Sequence, residues 1–231
     1  MNVASWVDEA LSLIAPERCA FCGSADSVDG ACNGCLDELP WNDVCCPGCA
    51  QPLPAAALCA KCLQRPRSFD SAWTAFVHLD PVRRGIHRFK FAAAFDQGRL
   101  LGRLMAHRLK QRGAPLPDLV IPVPIPRRKL LTRGFNQTQE LARALRDVMK
   151  LNLASDAAQL RRTPQEQIGQ TAAQRRRNLR GAFQVERDLS GLHVALLDDV
   201  MTTGATLDAL AGAARKAGAA KIEAWALARA P

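Results

Sequence analysis

Eight cysteines in two copies of one pattern limit what the first third of this chain can become. Cys19-x2-Cys22-x9-Cys32-x2-Cys35 is followed by Cys46-x2-Cys49-x9-Cys59-x2-Cys62, and all nine cysteines of the 231 residues lie between positions 19 and 62. Each C-x-x-C turn brings two thiolates to one side of a tight knuckle, and two knuckles complete a tetrahedral sulfur shell for Zn²⁺. Gly23, Gly34 and Gly48 stand where backbone amides can approach the sulfurs. A disulfide framework is the alternative; it belongs to secreted proteins and would leave one cysteine over, Cys45. Val3, Trp6, Val7, Ala10, Leu11 and Ile14 are interrupted by Asp8 and Glu9 and have no basic flank, so they predict a short amphipathic helix over 1–15 and not a signal peptide. Zinc is therefore the expectation, one ion or two, on Cys19, Cys22, Cys32, Cys35, Cys46, Cys49, Cys59 and Cys62. Each copy would close its own site, and Cys45 beside Cys46 leaves a second register open. Four thiolates leave no open position, so the metal's expected task is structural: it supplies folding free energy to a module, 16–66, too small to build a core.

Charge divides the chain at about the same place. Residues 1–72 hold four Lys/Arg against nine Asp/Glu, whereas 73–231 hold 27 against 13. The basic part, a separate domain over 72–231, is built to meet an anion, either the phosphates of a metabolite or those of nucleic acid. No apolar run approaches the roughly 20 residues that span a bilayer, so no transmembrane segment is expected.

In the basic part, 193–197 reads as a buried strand closed by Asp198 and Asp199, and 202–206 as a small polar loop. From Thr206 a helix begins with Leu207, Leu210, Ala211 and Ala214 on one face. Strand, loop and helix N-terminus in that order aim the amides of Thr203, Gly204, Ala205 and Thr206 into one concavity, a phosphate cradle. Two carboxylates would repel a phosphate in the same place. Their task is to accept hydrogen bonds from sugar hydroxyls or to help hold a divalent cation.

Upstream, Asp118-Leu-Val-Ile-Pro-Val-Pro-Ile-Pro126 reads as a second buried strand that runs into prolines, followed by Arg127, Arg128, Lys129 and Arg133-Gly-Phe-Asn-Gln137. A basic loop there suits pyrophosphate, with Arg133 forking phosphate oxygens. A solvated basic loop before a helix capped by Asn136 accounts for the same residues. The stretch 160–180, with Arg161, Arg162, Thr163, Gln165, Gln167, Arg175, Arg176, Arg177 and Asn178, reads as a flap or as a nucleic-acid contact.

The thirteen residues Val194-Ala-Leu-Leu-Asp-Asp-Val-Met-Thr-Thr-Gly-Ala-Thr206 resemble the phosphoribosyl-pyrophosphate (PRPP) motif of type I phosphoribosyltransferases: four apolar residues, two acids, two apolar residues, then Thr-Thr-Gly-Ala-Thr. Together with the cysteine knuckles, Ile86-His-Arg-Phe-Lys-Phe91, Pro122-Val-Pro-Ile-Pro126, Arg133-Gly-Phe-Asn-Gln137 and the 163–178 stretch, the chain resembles the ComF family of competence proteins from about Cys19 to Arg229. The resemblance implies an α/β fold of the type I phosphoribosyltransferase kind, a mostly parallel sheet flanked by helices, behind a small Cys-rich zinc module. It implies a cytoplasmic role in natural transformation, where incoming single-stranded DNA enters the cell. By the same resemblance Asp198 and Asp199 hold the ribose as the catalytic acids, Thr202, Thr203, Gly204, Ala205 and Thr206 hold the 5′-phosphate, and the Val123-Pro124 neighbourhood holds the pyrophosphate. Mg²⁺ bridges pyrophosphate and ribose oxygens, and a flap carrying Arg162, Arg175, Arg176 and Arg177 excludes water.

The implied chemistry is displacement of pyrophosphate at the anomeric carbon, where positive charge develops much as in glycoside cleavage. Thr202 stands where hypoxanthine/guanine-type relatives carry an Asp for the base's proton, so purine salvage is disfavoured. A glutamine-dependent amidotransferase is disfavoured too, since neither a glutaminase domain nor an N-terminal nucleophilic Cys is found. A phosphoribosyltransferase of unknown acceptor is one expectation. A non-catalytic protein that binds single-stranded DNA or senses PRPP through the same pocket is another, with Phe89, Phe91 and Phe135 as stacking platforms in a chain without tyrosine. A third is a scaffold whose acidic zinc module docks a basic partner such as a DNA-uptake helicase.

Overall fold

A computed structural model describes residues 18–25, 27, 30–162 and 172–231. The helix expected over 1–15 and much of the expected flap, 163–171, lie outside them. The chain forms two compact units, Met1–Leu39 and Pro40–Pro231, so the two copies of the cysteine repeat fall in different units.

In the first unit the Gly23 amide bonds the Cys19 carbonyl at 2.8 Å and the Cys19 amide bonds the Ser24 carbonyl at 2.8 Å, closing the first knuckle. The second knuckle leads into α1 (Asn33–Asp37), which starts directly after Cys32 and buries none of its five residues. Such a short helix has no packed face of its own to hold it.

The second unit opens with the other cysteine copy, whose chain folds back from Cys46 to Gln51 (amide to carbonyl, 2.8 Å) and enters α2 (Ala60–Gln64) after Cys59. The remaining elements are β1 (Ser71–Val77), α3 (Val82–Ala92), α4 (Phe95–Gln111), β2 (Leu119–Pro122), α5 (Arg127–Arg133), α6 (Gln137–Met149), β3 (Ala158–Leu160), α7 (Ala172–Leu179), β4 (Phe183–Val185), β5 (His193–Met201), α8 (Ala205–Lys216) and β6 (Lys221–Arg229). Four strands form a parallel sheet in the order β1-β6-β5-β2, and β3 and β4 form a separate antiparallel pair.

Burial explains the sequence of the central strands. Val194 and Leu196 of β5 and Ile222, Ala224 and Ala226 of β6 share a core with Leu207, Leu210, Ala211 and Ala214 of α8. The residues between them, Ala195, Leu197, Trp225 and Leu227, are buried as well. Alternate residues point to opposite faces, so both faces of the sheet are covered, as parallel sheets require. Helices α4 and α6 pack on each other, with α4 against β1 and β6 and α6 against β2 and β5.

Three expectations are corrected here. β5 does not end before its two acids but runs through them to Met201. Residues 127–133 are not an open loop: Pro126, which needs no amide partner, precedes helix α5, and Gly134 at φ 80° ends it. The strand read over 118–126 is regular only from Leu119 to Pro122, beyond which the alternating prolines cannot donate to the ladder. Asn136 caps α6 as expected, its side chain accepting from the Thr138 amide.

Candidate functional site

The carboxyl ends of the parallel strands converge on one edge, where α/β sheets place their ligand crevices. β2 and β5 are neighbours there, and the Val123 amide donates to the Leu197 carbonyl at 2.8 Å. The Val123-Pro124 turn therefore sits beside the residue before Asp198, so two segments 74 residues apart in sequence meet. Asn136 and Thr138 brace that turn. The Asn136 amide group donates to the Val123 carbonyl at 3.2 Å, and the Thr138 hydroxyl lies 2.7 Å from the same oxygen.

Asp198 and Asp199 are successive strand residues and leave β5 on opposite sides. Asp198 Oδ1 accepts from the Asp199 amide at 2.8 Å and Asp199 Oδ1 from the Val200 amide at 2.6 Å. Burial first and then the neighbouring Asp199 carboxylate push Asp198 up to about 7. Asp199 is itself buried, and Lys90 of α3 places Nζ 2.7 Å from its Oδ2. Two adjacent acids in a poorly solvated place repel, and the Lys90 ammonium supplies the counter-charge. Beside them, His78 follows β1. Burial, then Lys90 and Arg83, hold its imidazole below its usual range.

Beyond Met201 the chain turns through Thr202 and Thr203 into α8. Gly204 is the N-cap at φ 73°, a left-handed conformation that costs a glycine nothing. The Thr203 hydroxyl accepts from the Ala205 amide at 3.3 Å. Asp208 lies in the first turn, where a carboxylate is favoured by the helix dipole, and accepts from the Ser68 amide at 2.7 Å. Arg67 donates to the Thr203 carbonyl at 3.2 Å. At the β6 end Arg229, buried, donates to the carbonyls of Met201 and Thr202.

Other expected residues make contacts of their own. Arg133, the last residue of α5, has its guanidinium 5.1 Å from the Phe91 ring centroid. Of the three phenylalanines considered for stacking, Phe89 is buried and only Phe91 is largely exposed. Arg162 donates to the Arg180 carbonyl at 2.9 Å. Arg177 lines a cavity of about 720 Å³ on the outer side of α8 with Arg65, Arg180, Asp208 and Lys216. The side chains of Arg175 and Arg176 lie outside the described residues.

The cysteines form two groups, Cys19, Cys22, Cys32 and Cys35, then Cys46, Cys49, Cys59 and Cys62, with the sulfurs of each within 4.8 Å of one another. Tetrahedral Zn²⁺ with Zn–S of about 2.3 Å separates its sulfurs by about 3.8 Å. The Cys22–Cys32 and Cys49–Cys59 sulfurs are 3.7 Å apart. Cys45 belongs to neither group, which decides the register and gives one complete set of ligands per copy. Desolvation raises the Cys19 thiol, but the amides of Cys22, Cys32 and Phe21 outweigh it and bring it to about 6. Cys62 is pushed up, by burial and then by the Cys49 thiol. Without a cation the four sulfurs cannot all ionise, so the donor set fits a divalent metal. In the second cluster the Cys59 amide lies 3.3 Å from Cys46 Sγ, and around Cys19 the approaching amides are those of Phe21, Cys22 and Cys32. Gly48 serves by its size, because a Cβ there would lie 3.2 Å from Cys62 Sγ.

A double zinc ribbon domain matches residues 10–63. Over 224 residues the chain is 32% identical to DNA utilization protein YhgH of Escherichia coli O157:H7, covering 94% of this chain and 99% of that one. It is 32% identical over 228 residues to Competence protein F of Haemophilus influenzae, covering 92% and 97%. The chain belongs to the ComF/YhgH family. The structure of the ComF/YhgH chain is also similar, at low score, to two solved proteins. One is a glutamine PRPP amidotransferase of B. subtilis (20% identity, 56% of this chain and 25% of that chain, TM-score 0.38). The other is hypoxanthine phosphoribosyltransferase of Trypanosoma cruzi (18%, 58% and 65%, TM-score 0.36). Likenesses this partial say nothing of ligand or activity.

Sequence reasoning missed several residues of this ComF/YhgH site: Lys90, His78, Arg67, Arg229, and Thr138 as a brace. Lys90 sits inside a segment noted only for its family resemblance, and nothing in that segment marks the lysine's target. Nothing local marks Arg67 or Arg229, whose partners are 136 and 180 residues away. Among the described residues no helix is long and apolar enough to cross a membrane.

Proposed function

We propose that this chain binds PRPP with Mg²⁺ in the crevice between the Val123-Pro124 turn and the loop from Asp198 to Thr206. The observation that carries the reading is the meeting of these parts on one sheet edge, fixed by the bond from the Val123 amide to the Leu197 carbonyl. The 5′-phosphate belongs in the loop at the start of α8, on Thr202, Thr203, Gly204, Ala205 and Thr206, and the ribose hydroxyls on Asp198 and Asp199. The pyrophosphate belongs at Val123 and Pro124, with Lys90 and Arg133 as nearby cations. Mg²⁺ would neutralise pyrophosphate charge, and the two carboxylates are the hard oxygen donors suited to it. The reaction open to such a site is displacement of pyrophosphate by a nitrogen nucleophile, with the acids favouring positive charge at the anomeric carbon.

The relatives' names, DNA utilization protein and Competence protein F, support a role in handling DNA; a cytoplasmic location and a helicase or another competence protein as partner complete the proposal. Fragments test the crevice. Ribose 5-phosphate and pyrophosphate should each bind, and each should lose affinity on substitution of its own half alone, Thr203→Val for the first and Thr138→Val for the second. Loss of both ligands by either change would count against two subsites. Pyrophosphate release from PRPP, measured over a panel of bases and amines, reports turnover.

A second reading has its own observation. Arg65, Arg177, Arg180 and Lys216 line one cavity with a single acid, Asp208, a surface suited to the phosphates of single-stranded DNA. The Arg177→Ala/Arg180→Ala double variant should weaken single-stranded DNA binding and flatten its dependence on salt; an unchanged slope removes that assignment.

A further inference from the structure

The four sulfurs of the second cluster end a chain of bonds that begins at the phosphate loop. Arg229 closes β6 and is 6% exposed. Its Nε donates to the carbonyl of Cys49, a cluster residue, at 3.0 Å, and its Nη2 to the Gln51 side chain at 2.7 Å. Its Nη1 donates to the Met201 carbonyl at 3.0 Å and also reaches the carbonyls of Thr202 and Ala230. One buried guanidinium thus spends its fork on two backbones, the cysteine knuckle and the turn that begins the phosphate loop. A planar, fixed fork transmits position between its acceptors in a way a lysine cannot.

A second strap runs in parallel. The chain leaving α2, three residues beyond its end at Gln64, presents Arg67 to the Thr203 carbonyl at 3.2 Å and then the Ser68 amide to Asp208 at 2.7 Å. The loop is therefore held from both sides by residues that the second cysteine copy positions: Cys49 and Gln51 before it, Arg67 and Ser68 after it. Two carbonyls of the knuckle are tied to β1 as well: Pro47 accepts from the Ala72 amide at 2.8 Å, and Ala50 accepts at 2.8 Å from the Asn42 side chain, which also donates to Thr74 of β1.

We propose that Arg229 is a positioning residue that couples metal at Cys46, Cys49, Cys59 and Cys62 to the conformation of the 202–206 loop. The metal-bound knuckle then presets the amides that receive phosphate. Zinc and phosphate binding are linked, and linkage is reciprocal. This rests on reading 202–206 as a phosphate loop, but its first test does not need PRPP to bind.

Hydrogen exchange of the full zinc-loaded chain reads the loop directly. In Arg229→Gln, exchange of amides 202–206 should quicken at least tenfold while amides 194–197 of β5 stay protected, and both zinc ions should remain. Cys59→Ser, which opens the second cluster, should give the same loop signature. Cys22→Ser, in the first cluster, should not. Should Cys59→Ser fail to fold, Gln51→Ala and Arg67→Ala each remove one strap at no cost to the metal and should each give an intermediate rate. Arg229→Lys should recover little, since an ammonium cannot serve both backbones. Zinc release to a chelator gives the reciprocal readout: PRPP with Mg²⁺ should slow one of two release phases severalfold in the wild type and neither in Arg229→Gln. Loop exchange that is the same in wild type and folded Arg229→Gln would overturn the proposal. If the loop loosens as expected while PRPP leaves wild-type zinc release untouched and does not bind, the coupling stands and the PRPP reading falls.

Discussion

The two cysteine clusters share ligand number and spacing and differ in everything around them. The first belongs to the Met1–Leu39 unit, beside a five-residue helix that buries nothing. The second belongs to the unit that holds the parallel sheet, hydrogen-bonded to β1 through Pro47, to Asn42 through Ala50 and to the end of β6 through Cys49. Spacing determines that a metal can be held; the contacts outside the four sulfurs determine what the metal holds in place. Identical motifs in one chain can thus be a local staple in one copy and a fixture of the sheet in the other.

The largest expected effect is on stability. Cys59→Ser should lower the melting temperature of the sheet unit by roughly 10 °C, the shift that a loss of about 3–5 kcal/mol makes in a chain of this size. Cys22→Ser should leave that transition within about 2 °C, at most about 1 kcal/mol on the same scale. Differential scanning calorimetry of the two variants compares them, and equal losses would erase the distinction between the clusters. Next comes affinity: Arg229→Gln should weaken PRPP binding about tenfold, equivalent to about 1.4 kcal/mol, and Cys22→Ser should not change it, as measured by competition with labelled PRPP.

A smaller effect depends on pH. Asp198 is raised to about 7 from an ordinary value of 3.8, so the folded chain binds this proton more tightly than the unfolded one. The sign follows from linkage: the carboxylate costs stability progressively as pH rises from about 4 to about 7, and the full cost remains above that. Asp198→Asn removes the cost. It should therefore be more stabilising at pH 8 than at pH 6 by about 1 kcal/mol, or about 2–4 °C, in the sheet unit alone and with PRPP binding lost. A gain that is the same at both pH values would contradict the raised proton affinity. The smallest expected effect is that of Arg67→Ala, a roughly threefold loss of PRPP affinity, equivalent to about 0.6 kcal/mol, because Ser68 still holds Asp208.

Much of this was legible in the sequence for definite reasons. The cysteine spacing specified both clusters because a tetrahedral shell tolerates few arrangements, and only the structure showed that Cys45 lies outside them. Buried runs such as Val194 to Leu197 announced central strands, and Asn136 announced a helix start, because each signal is local. The end of β5 was misjudged, since an acid signals a strand end only where the strand enters water, and Asp199 instead meets Lys90. The basic run after Pro126 reads as a loop because the helix it forms buries none of its residues, so no apolar stripe marks it. Least legible were Arg229 and Arg67, ordinary arginines whose partners are brought to them by the order of the strands alone.

The crevice at the end of β5 is the centre of this account, and titration calorimetry tests it most directly. PRPP with Mg²⁺ should bind the wild-type chain with one site per molecule, and Asp199→Ala, which leaves Lys90 without its partner, should abolish the heat. Absence of binding by a folded, zinc-loaded wild-type chain, or equal binding by Asp199→Ala, would contradict it.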